Sequence, residues 1–177
     1  MGLVGGGCGG KVELVNTAHG ATDTFWASLV LDELVDVEKT DILVWEYAIN
    51  DRLGGSTGSA ALTDDQMRSA MEAFLASVAR LFGGAGRPVP PIVLVYLWDA
   101  QGAFPRSSAW GAQQEVVLFW RKQGMEILPI LVGESITLDA HAKDVLQDSH
   151  HPGCEGHSLI ADMMQHSLLR ALISTLD

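Results

Sequence analysis

At 177 residues the chain has the length of one domain with a substantial core. Apolar residues make up 47% and charged residues 19%, which excludes a disordered chain. Eleven Lys and Arg against 22 Asp and Glu leave a net charge of −11, so phosphate backbones and anionic membranes are poor partners.

No apolar run reaches the roughly 18 residues of a membrane span, and the opening "MGLVGGGCGG" has neither the basic start nor the apolar centre of a signal peptide. Its Gly-x-Gly-x-x-Gly matches precede a strand pattern instead of following one, so they do not make a dinucleotide site. Cys8 and Cys154 leave one bridge or two free thiols equally open, and the compartment undecided.

Strand patterns come first at 11–16, "KVELVN", then at 41–48, "DILVWEYA", at 91–97, "PIVLVYL", and at 125–132, "MEILPILV". Three of these runs are almost continuously apolar, as in a parallel sheet covered on both faces. Helical spacing separates them. Trp26, Leu29, Val30, Leu34 and Val37 form one apolar row, and Met67, Ala70, Met71, Phe74, Val78 and Leu81 another. Thr63 and Gln66 predict a capping box ahead of the second row, and Gly83-Gly84 its end. A weaker helix spans about 108–122, with Trp110, Gln114, Val117 and Arg121 on a mixed face. The last carries Leu159, Ile160, Met163, Met164, Leu168, Leu169, Leu172 and Ile173. This alternation predicts an α/β sandwich with a mostly parallel sheet. The Gly- and Pro-rich stretches at 2–10, 53–58 and 83–91 read as loops within one domain.

In such folds ligands bind beyond the carboxyl ends of the strands. There the sequence places "NTAHG", "INDRLGGSTG", "WDAQG" and "GESITLDAHAKDVLQDSHHP", where polar and titratable residues concentrate.

Three of these stretches resemble the conserved blocks of the SGNH hydrolases, the GDSL-like esterases and lipases. "VNTAHGA" resembles their second block, "DILVWEYAIND" their third, and "DSHHPGCEGHSLIADMM" their fifth, in order from residue 12 to about 165. The resemblance implies a three-layer α/β/α sandwich of the flavodoxin-like type and acyl-ester hydrolysis by a serine, without a cofactor. By position it implies His151 as general base, Asp148 as its orienting acid, and an oxyanion hole from the Gly20 N–H and the Asn50 amide. An acyl ester, an acetylated carbohydrate or a lipid would be the substrate. His150 and His157 are then neighbours of the base, and Pro152 suits the first helical turn.

The departures are as specific as the matches. The family's Gly-Asp-Ser block ends a strand several tens of residues before the second block, yet only nineteen residues precede Gly20 and none is serine. Ala48 stands where the third block has glycine. The expectation is one SGNH-like domain over 1–177, shortened at its N-terminus and lacking the first strand. The strands at 11–16 and 41–48 must then close on each other, or a homo-oligomeric or other partner must fill the gap. Ser135 in "LVGESIT" and Ser56 in "GGSTG" are weak stand-ins for the nucleophile, better read as loop serines.

His151, Cys154 and His157 have a spacing that suits zinc, with no second Cys/His pair to complete it. His19 reads as a loop residue beside Gly20, and Glu46 and Tyr47 as strand residues, with Glu46 structural. Three readings follow: an SGNH-type ester hydrolase whose serine is not in this chain, an inactive pseudoenzyme relative with a binding role, and a zinc-binding protein.

Overall fold

Ile92 to Tyr96 are buried at every position and form the middle strand of a three-stranded parallel sheet. The computed structural model describes residues 12–53, 62–97, 108–132, 145 and 151–174. In chain order these form α1 (Thr24–Leu29), α2 (Leu31–Leu34), β1 (Leu43–Trp45), α3 (Ala48–Leu53), α4 (Asp64–Gly84), β2 (Ile92–Tyr96), α5 (Ser108–Lys122), β3 (Ile127–Leu131) and α6 (Cys154–Ser174). The sheet order is β1-β2-β3, with Leu43 opposite Ile92 and Ile92 opposite Ile127.

Side chains alternate across a strand, so the sheet divides its core in two. Trp45, Ile92, Leu94, Tyr96 and Ile127 face α4 and α5, meeting Met71, Phe74, Val78 and Val117. Val93, Val95, Ile130 and Val132 face the other way, onto Leu159, Ile160, Met163 and Met164 of α6 and Ile49 of α3. Helices therefore cover both faces of β2, which is why its sequence reads as continuously apolar.

The entry to α4 is set by its sequence. The Thr63 side chain accepts the Gln66 N–H at 3.3 Å, and the Gln66 side chain accepts the Thr63 N–H at 2.9 Å. Gly86, at φ +69°, makes the left-handed turn that ends it. Arg87 then donates to the Val37 carbonyl and lies 3.7 Å from Asp41, tying this turn to the approach to β1.

Four expectations are corrected. Residues 12–16 form no strand: they are irregular, with Val12 93%, Leu14 88% and Val15 70% exposed. A strand needs a neighbour for its N–H and C=O groups, and apolar composition does not supply one. The segment at 41–48 is strand only over Leu43–Trp45, and α3 begins at Ala48. The first helix is broken into α1 and α2, and it buries Ala27, Ser28 and Leu31 while Leu29 is exposed. In α5 the core row is Ala109, Ala112, Gln113, Val116 and Val117, so the buried glutamine is Gln113 and Gln114 is exposed.

Thr63→Ala removes the acceptor at the start of α4 and is expected to lower unfolding free energy by about 1 kcal/mol, read from urea denaturation.

Candidate functional site

Asp51, on α3, is completely buried. Its Oδ1 accepts the Thr24 N–H at 2.8 Å; its Oδ2 accepts the Thr24 hydroxyl at 2.7 Å and the Gln113 Nε2 at 2.8 Å. One carboxylate thus joins the first turn of α1, α3 and the inner row of α5. Thr24 is available because Asp23 caps α1, its carboxylate accepting the Trp26 N–H at 2.8 Å. Burial pushes the Asp51 carboxyl up to about 6, with the three hydrogen bonds opposing the rise and Asp23 adding to it.

The clamp determines what stands beside it. Gly20 lies four residues before Thr24, in a turn where Ala21 adopts φ +62° and the Thr22 hydroxyl donates to the His19 carbonyl at 2.8 Å. Left-handed backbone at alanine carries strain of about 1 kcal/mol or more. A Cβ at Gly20 would meet nothing within 4 Å, so open space lies in front of it. Asn50 directly precedes Asp51 and is half-buried on α3, not at a strand end as its sequence context predicts. Thr24 bound to Asp51 therefore ties the start of α1, four residues after Gly20, to α3, the helix that carries Asn50 and follows β1. His19 is exposed and packs its ring on Trp26, with centroids 5.1 Å apart.

His151 is exposed just ahead of α6. Two glycines fix this start: the Gly153 N–H donates to the Val145 carbonyl at 2.8 Å, and a Cβ on Gly156 would collide with that same oxygen. The helix begins at Cys154, so Pro152 precedes it and sits in an isolated bridge instead of the first turn. Leu159 and Ile160 share an apolar cluster with Ile49, the neighbour of Asn50. Asp148, His150, Ser135, Ser56 and Cys8 lie outside the described residues. His157 is exposed on α6, its N–H bonded to the Gly153 carbonyl, and Cys154 is a free, exposed thiol.

Titratable groups gather behind the clamp. Glu46 is not a strand residue: it follows β1 and is exposed. Its carboxyl is pushed up to about 7 by the surrounding protein and then by Asp51, a shift that the water reaching this residue weakens. Burial raises Tyr47, opposed by a hydrogen bond with Thr22, and Glu46 adds to the rise. Tyr96, at the end of β2, is raised well above the usual phenol range by burial and then by Asp51. Its hydroxyl, the Trp45 indole N–H and the Gln113 Oε1 are buried without hydrogen-bond partners among the described residues. Aromatic rings separate these groups, with Trp45 and Trp110 centred 5.3 and 5.1 Å from Tyr96. Asp51, Thr24, Gln113 and Tyr96 escape a reading of sequence alone, because nothing local to them signals that four separate elements converge. The one available signal is Asp51 itself, an acid two residues from Ile49 and from Leu53.

Among the described residues no group of three or more His, Cys, Asp or Glu could hold a metal ion, and that set includes His151, Cys154 and His157. No helix among them is long and apolar enough to cross a membrane. A cleft lined by Arg121, Met125, Ile127, Leu128 and Arg170 opens at the amino end of β3, away from Gly20 and Asn50, and is no part of this site. The chain matches no family model, no curated protein and no solved structure.

Because the folded Asp51 keeps its proton to about pH 6 against 3.8 for the ordinary carboxyl, the native state binds the extra proton between those values. Stability contributed by this group is present below the lower value and lost as pH rises through the upper, by about 3 kcal/mol in all. Asp51→Asn is expected to abolish that slope, measured as the wild-type minus variant difference in urea stability across this range. The Gln113 amide can turn to present its unpartnered Oε1 to the new side chain. Asp51→Ala leaves buried donors bare and is expected to cost roughly 3 kcal/mol or more at neutral pH. Tyr96→Phe removes a buried hydroxyl with no partner and should leave stability unchanged or raise it by about 1 kcal/mol, read from thermal melts.

Proposed function

We propose that the chain is an SGNH-type acyl-ester hydrolase domain, flavodoxin-like in plan, in which Gly20 and Asn50 form the oxyanion hole and His151, oriented by Asp148, is the general base. The observation that supports this reading is the Asp51 clamp, which joins the start of α1, just after the Gly20 turn, to the helix that carries Asn50 beyond β1, where α/β sheets bind ligands. Ile49, the neighbour of Asn50, packs against the same apolar cluster as Leu159 and Ile160 of α6, on the sheet face opposite α4 and α5.

In this reading His151 takes the proton of a serine hydroxyl as that oxygen attacks the ester carbonyl. The carbonyl oxygen becomes an oxyanion that accepts from the Gly20 N–H and the Asn50 amide. Collapse expels the alcohol with the proton returned by His151, and water then cleaves the acyl-serine by the same steps. No serine is assigned as the nucleophile among the described residues. A second reading keeps the same rim and binds an ester without turning it over.

The 177-residue chain is expected to hydrolyse p-nitrophenyl acetate slowly and to show no serine labelled by a fluorophosphonate on peptide mapping. Turnover at an ordinary esterase rate that survives both His151→Ala and Asn50→Ala would sink the site assignment. Ordinary turnover lost in His151→Ala would instead sink the inactive reading and identify the labelled serine as nucleophile. In that case Asn50→Ala should lower kcat by about 10²–10³.

A further inference from the structure

Among the described residues the sheet ends at β1, and its outer edge has the geometry of an acceptor. The Leu43 N–H donates to the Pro91 carbonyl, so Leu43 and Trp45 direct their backbone groups at β2. In a parallel ladder the residues between them point the other way, which turns the N–H and C=O of Ile42 and Val44 outward. Ile42 and Val44 also share a face of the strand; on β2 and β3 that face is covered by α6, whereas here both side chains are 46% exposed. A crevice lined by Thr17, Leu31, Val35, Leu43, Val44 and Phe74 runs along this edge.

The complementary half of a β-pair is in the same chain. Residues 12–16, "VELVN", have the composition of a strand, and three of the five are apolar side chains at least 70% exposed. Their backbone groups make no hydrogen bond among the described residues. A free edge and a free strand in one molecule can satisfy each other reciprocally in two copies, with the same patch used twice about a two-fold axis.

We propose that the chain forms a two-fold dimer by strand exchange, in which residues 12–16 of each copy pair with the outer edge of β1 of the other. The exchange covers Val12, Leu14 and Val15 together with Ile42 and Val44. This inference is independent of any catalytic role.

The test uses the full chain and two proline variants. Val44→Pro removes an outward N–H and leaves the β1–β2 hydrogen bonds in place, so it blocks the acceptor. Leu14→Pro blocks the donor in a segment that carries no fold. By sedimentation at micromolar concentration, the wild type should run at twice the 19.0 kDa chain mass and each variant as a monomer. An equimolar mixture of the two variants should recover the double mass, because each retains the half that the other lacks; that recovery also shows both to be folded. Val44→Lys with Leu14→Lys repeats the cross by a charge on each surface. A wild type that stays monomeric, variants that still dimerise, or mixtures of both pairs that stay monomeric would overturn the proposal.

Discussion

A carboxylate shut away from water persists only where donors replace the water it has lost, and Asp51 finds three of them on two other helices. Of the elements it joins, α5 is held by the core, and the two short ones gain a second anchor from it. Helix α1 has six residues and α3 six, too short for helices that stand by themselves. Both are anchored through one side chain, and the anchor on α5 sits in the row that packs on the sheet. The position of the first turn of α1 relative to α3 is therefore set by a hydrogen-bond network as well as by the core. Such a network specifies one arrangement, because a half-made version leaves charge buried without donors.

The surroundings of the clamp are unusually costly. The Tyr96 hydroxyl, the Trp45 indole N–H and the Gln113 Oε1 are buried behind it without partners among the described residues. Each forfeits hydrogen bonding that water would provide. Packing offsets this: Trp45 lies against Phe74 and Tyr96, and Tyr96 against Trp110. A region that retains unpaired polar atoms inside an aromatic cluster stores free energy that an apolar core would not. Functional sites often carry such a burden, and here it lies directly behind the candidate rim.

How much of this was legible in the sequence depended on whether the signal was local. The strand at β2 and the helix α4 are written in their own residues, the first as an unbroken apolar run and the second as a capping box with a core stripe. Helices α1 and α5 are in the expected places, but with the wrong row inward. Each buries polar residues, Thr24 and Gln113, that serve Asp51, and apolar periodicity skips over polar core positions. Residues 12–16 were misread for a different reason. Val12, Leu14 and Val15 satisfy the composition of a strand, yet pairing depends on a neighbour elsewhere. The resemblance points to Gly20, Asn50 and His151 and is silent on Asp51, the buried acid that bonds Thr24 and Gln113.

The exposed strand and the clamp are connected by one short stretch of chain. Residues 17–23 run from the end of the 12–16 segment to Thr24, and they contain the Gly20 turn and the left-handed Ala21. This loop is held by Thr24 on Asp51, by the Thr22 hydrogen bond with Tyr47 and by His19 on Trp26, while residues 12–16 ahead of it are exposed. A loop held at one end samples more conformations than one held at both, and a strained turn relaxes most readily where it has that freedom. Pairing of 12–16 with a sheet edge would fix the upstream end and confine the Gly20 N–H to a narrower range of directions. A donor acting on a developing oxyanion contributes in proportion to how little it must reorganise. Pairing at the sheet edge would thus reach the Gly20 turn through residues 17–23, which contain no helix or strand.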